Sequence, residues 1–275
     1  MKKQLFSCLL SIYAHENPSY FRIALDSIFS QTIPPTEVVL VKDGPLTEQL
    51  EEVIAEFIDK LIIIDLQVNH GLSFALNEGL KACNYDIVAR MDTDDICVHD
   101  RFEKQLLYFQ SHTDVDVLGS YAYKIDENGE DMHTLIKVPI ETNLINHLIW
   151  TCPMNHPTVM FRKSKILSIG GYDPDVGLRQ DDYDLWFRCV ENGLKLANIP
   201  QPLLYYRFFS DSIKKNNLRV GWFRMKVGLR GCRKLRLSIK AYIGVCIPFV
   251  RSLLPYPLNV YFQSLMNRFN PRKAY

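Results

Sequence analysis

The first 120 residues alternate between two hydrophobic periods. Runs rich in Val, Ile and Leu at 5–14, 37–41, 61–66, 86–91 and 115–119 predict strands. Between them, apolar residues recur every three or four positions. Residues 19–31 place Phe21, Ala24, Leu25, Ile28 and Phe29 on one helical face. Residues 47–58 do the same with Leu50, Val53, Ile54 and Phe57, behind Thr47 as an N-cap. Helices are also predicted over 73–82 and 100–110. Continuous apolar strands separated by helices of about three turns predict a parallel sheet covered on both faces.

Beyond Tyr121 the pattern is mixed. Asp126-Glu127-Asn128-Gly129 is a hairpin turn signal. Residues 158–161 predict a short strand, 181–191 a helix and 203–207 a last strand. From about Arg219 the character changes again. Arg219, Lys226, Arg230 and Arg233 share one helical face, and Val220, Trp222, Phe223, Met225, Val227 and Leu229 fill much of the rest. That is the pattern of a membrane-surface helix. Residues 241–262 are apolar but hold Arg251 and Pro248, Pro255 and Pro257. An arginine at a bilayer centre costs roughly 2.5 kcal/mol or more, and prolines break helices. Interfacial or re-entrant contact is therefore expected rather than a full span. The division expected is a catalytic body, 1–211, and a membrane-associating tail, 212–275.

Charge sharpens this division. The chain carries a formal net charge of only +1. Yet 14 Lys/Arg and no acidic residue lie in 212–275, which leaves the first 211 residues at −13. Basic tails of this kind bind anionic surfaces, either nucleic acid or lipid headgroups. The seven cysteines show no C-x-x-C and no paired spacing. This argues against a disulfide framework and a Cys₄ zinc site, and for a reducing compartment. The start, Met1-Lys2-Lys3 and an apolar run, superficially mimics a signal peptide. The run ends at His15-Glu16-Asn17 without a small-residue cleavage site, so a first core strand is the better reading.

Candidate chemistry collects at strand ends. Asp92-Thr93-Asp94-Asp95 follows the predicted strand 86–91. In open α/β sheets that edge is where ligands bind. Carboxylates packed this closely repel unless a cation is present. A hard divalent ion, Mg²⁺ or Mn²⁺, takes such oxygen ligands and shares them with phosphates. An acidic turn capping the next helix is the plainer alternative. Asp43-Gly44 ends another strand and offers a carboxylate to a base or ribose, although strand-Asp-Gly is also an ordinary turn. Asn77 and Gly79 are poor helix formers placed mid-helix. They mark either a fraying helix or a small, polar face against a nucleotide. Asp181-Asp182-Tyr183-Asp184-Leu185-Trp186 opens a helix and gains from its dipole. It is either a charged first turn or a general base facing the metal site.

Assembled, these pieces resemble an inverting family 2 glycosyltransferase of the GT-A fold, of the kind found in bacterial O-antigen and capsule clusters. The resemblance runs from about Leu9 to Arg207. Five anchors carry it, in order: Ser11-Ile12-Tyr13; 25–32; Val41-Lys42-Asp43-Gly44; Arg90-Met91-Asp92-Thr93-Asp94-Asp95; and Asp181 to Trp186. The fold class implied is α/β, a Rossmann-like, mainly parallel mixed sheet flanked by helices. The resemblance also implies roles. Tyr13 and Glu16 contact the nucleobase, and Asp43 holds base or ribose. Asn77 and Arg90 lie on the donor side. Asp92 and Asp94 form a D-x-D pair, with Asp94 the direct ligand of Mn²⁺ or Mg²⁺ and Asp92 toward the ribose. Asp182 matches the catalytic base, with Asp181 beside it where the family often has Glu. His156 and Trp186 belong to the acceptor side. Where many members place a late His, this chain has Phe209. The partners implied are a nucleotide-sugar donor, most commonly a UDP-sugar, and an undecaprenyl-diphosphate-linked saccharide. The protein would sit peripherally on the anionic cytoplasmic face of the inner membrane, with no nucleic acid expected.

Three rivals use the same features. Haloacid-dehalogenase-like phosphatases also place D-x-D after a strand. They want Thr or Val two residues after the second Asp, where this chain has Ile96, and usually use the first strand. A nucleic-acid binder would work through the basic tail, which lacks a stacking-aromatic or zinc pattern. An inactive nucleotide-sugar binder would not need the intact acidic motifs.

Overall fold

All five apolar runs of the first 120 residues are strands of one sheet: β1 (Ser7–Ile12), β2 (Glu37–Asp43), β3 (Leu61–Leu66), β4 (Ile87–Arg90) and β6 (Val117–Ile125). The computed structural model describes residues 4–209, 217–255 and 258. With β5 (Ile96–Cys97), β8 (Met160–Arg162) and β9 (Leu196–Arg207), the sheet runs β3-β2-β1-β4-β8-β6-β9-β5, and β7 (Asp131–Ile136) pairs with β6. β1, β2, β3 and β4 are parallel neighbours. β8 (Met160–Arg162) lies antiparallel between β4 and β6, so the sheet is mixed beyond β4. The β6–β7 hairpin turns at the Asp126–Gly129 signal, where Asp126 Oδ1 accepts from the Asn128 and Glu130 amides.

Helices cover both faces. On one side α1 (Pro18–Phe29), α2 (Glu48–Glu56) and α4 (Arg101–Ser111) bury Phe21, Leu25, Leu50, Val53, Phe102 and Leu106. Asn17 caps α1 and Thr47 caps α2, as side-chain oxygens at N-caps do. On the other side α3 (Leu72–Ala82) and α7 (Asp181–Glu191) bury Ala75, Leu76, Tyr183, Trp186 and Phe187. Gly79 sits where α3 crosses the sheet. A Cβ there would lie 2.3 Å from Leu9 Cδ1 and 2.8 Å from Val41 Cγ2. The mid-helix glycine is therefore a packing requirement, not a fraying point.

Several elements were not legible in the hydrophobic pattern. The two-residue β5 (Ile96–Cys97), the exposed β7 and the short helices α5 (Thr142–His147) and α6 (Lys163–Ser168) carry too few apolar positions to show a period. The last strand, expected over 203–207, is β9 (Leu196–Arg207). Pro200 and Pro202 disguise it. β9 pairs parallel with β6, and its register jumps from Ser120–Ile199 to Tyr121–Pro202, so the prolines fall at an irregularity where a missing N–H is tolerated.

The C-terminal region forms two helices, α8 (Leu218–Lys234) and α9 (Ile239–Ser252). Pro248 was expected to break helix, yet it lies inside α9. Close packing holds that turn: Gly221 of α8 fits against Phe249 and Ser252, and Gly244 against Trp150. α8 rests on α7, with Gly231 against Phe187 and Gly228 against Tyr183 and Val245. Of the predicted basic face, Arg230 reaches back to Asp184; Lys234, outside that face, pairs with Glu191. Of the expected apolar segment, 256, 257 and 259–262 lie outside the described residues. Among the described residues no helix is long and apolar enough to cross a membrane.

Candidate active site

The carboxyl ends of β1, β2 and β4 open into a cavity of about 630 Å³. Ser11, Tyr13, His15 and Glu16, in and after β1, form one wall. Asp43, at the end of β2, lies in the floor with Asn69 and Gly71. Asp92, Thr93 and Asp94 follow β4, and Arg179, Arg207 and Phe209 close the far side. The position is the one a parallel sheet creates for a ligand at its carboxyl edge.

The acidic motif after β4 is a single cluster. One carboxylate oxygen from each of Asp92, Asp94 and Asp95 lies within 4.8 Å of the others. Arg90, buried under the cavity, grips Asp92 with both guanidinium nitrogens. Arg207 ties down the rest. Its backbone N–H donates to Asp95 Oδ1 at 2.8 Å, and its Nε donates to the Asp94 carbonyl at 2.8 Å. Burial, with the charge of Asp92 added, pushes the Asp94 carboxyl up to about 6. Burial and the neighbouring charges of Asp94 and Asp92 push Asp95 well above the carboxylate range. Asp95 Oδ2 is buried with no hydrogen-bond partner. An all-oxygen donor set under this strain, with an orphaned oxygen, fits a hard divalent cation such as Mn²⁺ or Mg²⁺.

Asp43 is buried, and its carboxylate accepts from the amides of His70 (2.7 Å) and Gly71 (2.9 Å) while facing the cavity. Asp43 thereby fixes the loop that leads into α3. Gly44, at φ +88 and with Asn69 N only 2.8 Å from where a Cβ would be, permits the turn beneath it.

The second acidic motif begins α7. Asp181 accepts a short hydrogen bond from Ser73 Oγ of α3. Asp182 is less committed. Its Oδ1 accepts from the Tyr183 amide at 2.7 Å, and its Oδ2 accepts from Cys152 Sγ at 3.5 Å. Cys152 takes the left-handed conformation, φ 60, that a side chain rarely adopts, at the end of the turn that brings it here. Burial raises the Asp182 carboxyl above its ordinary range, Arg224 of α8 pulls it back, and Asp181 adds to the rise. A buried carboxyl holds its proton more firmly than an exposed one, and so is the stronger base once deprotonated. Asp184 is spent on structure: it lies buried between Arg188 and Arg230.

The structure brings Tyr13, Glu16, Asp43, Asp92 and Asp94 together around the cavity. Asp181 and Asp182 are not among its lining residues, and four other expected residues lie elsewhere. Arg90 lies behind Asp92 rather than on the wall. Asn77 brackets the segment before α7, donating to the Tyr172 carbonyl and accepting from its amide. His156 is buried, 2.8 Å from the Tyr172 hydroxyl; burial and the nearby Arg90 push it well below the usual histidine range, so it is neutral. Trp186 is fully buried, edge-on to His156. His156 packs against Trp186 on the inner face of α7, and neither reaches the surface. Three contributors were not assigned from the sequence: Arg179, Arg207 and Cys152. Arg207 could have been found as the charge ending a strand. Nothing local marks Cys152, because only the fold sets it beside Asp182.

Residues 10–170 match the family model described as Glycosyl transferase family 2. The chain belongs to glycosyl transferase family 2. Among curated relatives, this glycosyltransferase is 39% identical to the amylovoran biosynthesis glycosyltransferase AmsE of Erwinia amylovora, over 86% of this chain and 87% of that one. It is 36% identical to the UDP-Gal:alpha-D-GlcNAc-diphosphoundecaprenol beta-1,3-galactosyltransferase of Escherichia coli, over 76% of each. Its fold is similar to that of the mannosyltransferase of Pyrobaculum calidifontis solved with GDP-Man and Mn²⁺. That match has a TM-score of 0.65 at 15% identity and covers 98% of this chain and 82% of that one. The sheet and its flanking helices are the GT-A architecture.

Proposed function

We propose that this enzyme is an inverting hexosyltransferase of bacterial surface polysaccharide assembly, O-antigen or capsule. It moves a sugar from a nucleotide donor, UDP-hexose or UDP-N-acetylhexosamine, to a hydroxyl of a lipid-diphosphate-linked saccharide. The observation that carries this reading is the Asp92, Asp94 and Asp95 cluster at a cavity that also presents Arg179 and Arg207. The relatives support the rest: one is named for amylovoran biosynthesis, and another for UDP-Gal and a diphosphoundecaprenol-linked acceptor.

The chain's own groups divide the work. Tyr13 and Glu16 line the wall on which the nucleobase rests, and Asp43 holds the floor. Arg179 and Arg207 hold the donor's diphosphate by charge. A divalent cation on Asp94, with Asp92 and Asp95, supplies neutralisation of the departing nucleoside diphosphate. Asp182 accepts the proton of the acceptor hydroxyl as it attacks the sugar carbon from the face opposite the nucleotide. One displacement through an oxocarbenium-like state inverts the centre. An α-linked UDP-hexose should therefore yield a β-glycoside, read from the anomeric coupling in the product's proton NMR spectrum. An α-linked product would exclude the single displacement and leave Asp182 without its role.

The C-terminal helices would hold the enzyme on the cytoplasmic face of the inner membrane. Trp222, Ile243 and Val250 are exposed on α8 and α9, with Leu253 just after, and the same helices carry Arg219, Lys226, Arg233 and Lys240. Each Lys or Arg near an anionic surface contributes roughly 1 kcal/mol, falling with salt. Full-length protein should cosediment with phosphatidylglycerol vesicles at low salt, and Trp222→Glu with Val250→Glu should weaken this at least tenfold. Equal sedimentation of wild type and variant would remove α8 and α9 from the membrane contact.

A further inference from the structure

Arg179 reaches the donor cavity from a strained backbone. Its φ of 57 lies in the left-handed region that a side chain rarely occupies. Such a conformation persists only where the surroundings over-determine it. Leu178 and Arg179 are exposed, so their own burial does not hold them. The stretch is instead fixed at its two ends.

The far end belongs to α7. Gln180 is buried, and its carbonyl accepts from the Asp184 amide at 3.0 Å. Its side-chain Nε2 donates back to the Leu178 carbonyl at 3.0 Å. The near end is held from α8. The ring of Phe223 lies against the α-carbon of Gly177: a Cβ there would be 2.6 Å from Phe223 Cγ and 2.8 Å from Cε1, closer than real Cβ atoms come. Gly177 has φ +100, so the position needs glycine twice, for its conformation and for the ring.

Phe223 is itself firmly placed. Arg219, one turn earlier, carries its guanidinium 6.0 Å from the ring centre. Arg224, the next residue, stacks 4.5 Å over Tyr183 of α7. Further along α8, Gly228 and Gly231 seat against Tyr183 and Phe187. With residue 177 fixed by α8 and residue 180 by α7, only Leu178 and Arg179 remain to close the gap. Arg179 adopts the turn that closes it and is thereby aimed at the cavity. Phe223 is not one of the residues lining that cavity, so any effect it has on a donor must pass through this stretch.

We propose that Phe223 is a positioning residue for the donor: seated on Gly177, it holds Arg179 where the cavity takes the diphosphate, which makes α8 part of the donor site. This rests on the reading that Arg179 holds the donor's diphosphate.

The test is a double-mutant cycle on the full-length protein, read as the calorimetric Kd of UDP with Mn²⁺. Arg179→Ala should weaken UDP binding at least tenfold. Phe223→Ala should weaken it at least fivefold, and Phe223→Leu, which still covers Gly177, should recover most of that loss. Gly177→Ala, which drives a methyl into the ring, should act as Phe223→Ala does. On top of Arg179→Ala, Phe223→Ala should cost less than twofold, because no guanidinium is left to place. The Mn²⁺-induced rise in Tm, which reads the Asp92, Asp94 and Asp95 cluster, checks that each variant is folded. Unchanged UDP binding in Phe223→Ala overturns the proposal. So does the same factor lost in both backgrounds, which would mark a merely structural role. Loss of the Mn²⁺ response in both Phe223 variants overturns it as well, since the damage would not be confined to Arg179. Full UDP binding by Arg179→Ala would refute the diphosphate role of Arg179 itself, a separate failure of the wider reading, and the proposal would fall with it.

Discussion

Asp182→Asn should lower kcat by about 10²–10⁴-fold, the range a positioned general base contributes, while UDP binding stays intact. Asp182 is the carboxylate of the second acidic motif with capacity to spare. It accepts one amide and one thiol hydrogen bond, whereas Asp181 is engaged by Ser73 and Asp184 lies between two arginines. Asp181→Asn should therefore cost much less than Asp182→Asn. The pH dependence has a definite sign. A base must be deprotonated to act, so kcat falls as pH drops through the Asp182 pKa. Burial raises that pKa and Arg224 lowers it. Removing the cation in Arg224→Ala should move the acidic limb of the kcat profile to higher pH, measured with a neutral acceptor to keep binding effects apart. An unmoved limb, or equal losses in the two Asn variants, would shift the base elsewhere.

Asp94→Asn should abolish the response to Mn²⁺. In the wild type the ion would relieve the repulsion among Asp92, Asp94 and Asp95 and would satisfy the orphaned Asp95 Oδ2. A ligand at 100 times its Kd stabilises a fold by about 2.7 kcal/mol, which for a chain of this size raises Tm by about 5–10 °C. Differential scanning fluorimetry should show that rise with Mn²⁺ for the wild type and almost none for Asp94→Asn. Calorimetry should show Mn²⁺-dependent binding of UDP in preference to GDP, dTDP and CMP, and its loss in the variant. The cation also competes with a proton, since burial and Asp92 push Asp94 up to about 6. The Mn²⁺-induced rise should shrink as pH falls below that value. Full Mn²⁺ stabilisation of Asp94→Asn would take the metal away from this cluster, and nucleotide binding indifferent to Mn²⁺ would separate donor recognition from it.

The parallel half of the fold was legible because β1, β2 and β4 are buried on both faces, so their apolar runs are continuous, and α1 to α4 repeat at a clear helical period. β9 was shortened in that reading because Pro200 and Pro202 mimic a loop. α9 was read as broken because Pro248 mimics a stop. In α9, packing against α8 overrides a local preference worth about 3 kcal/mol against proline in a helix, whereas in β9 the prolines fall where the ladder is irregular. Of the site, the acidic motifs stood out because short-range charge density has few structural uses. His156 and Trp186 were read as acceptor contacts through the resemblance alone, and a match in sequence does not tell which side of an element faces inward.

What the sequence determined by itself was the class of chemistry: which carboxylates sit at strand ends, and that a doubly covered sheet carries them, since both follow from residue type and period. Only the tertiary structure decided how those groups are used. It spends Asp184 and Asp181 on contacts and leaves Asp182 available. It turns Asn77 and Gly79 into packing devices, and it brings Cys152, Arg224 and Arg207 to carboxylates 30, 42 and more than 100 residues away. The reason is physical. A charge or hydrogen bond acts over a few ångströms of space whatever the separation along the chain, and that separation is closed only when β9, α7 and α8 pack.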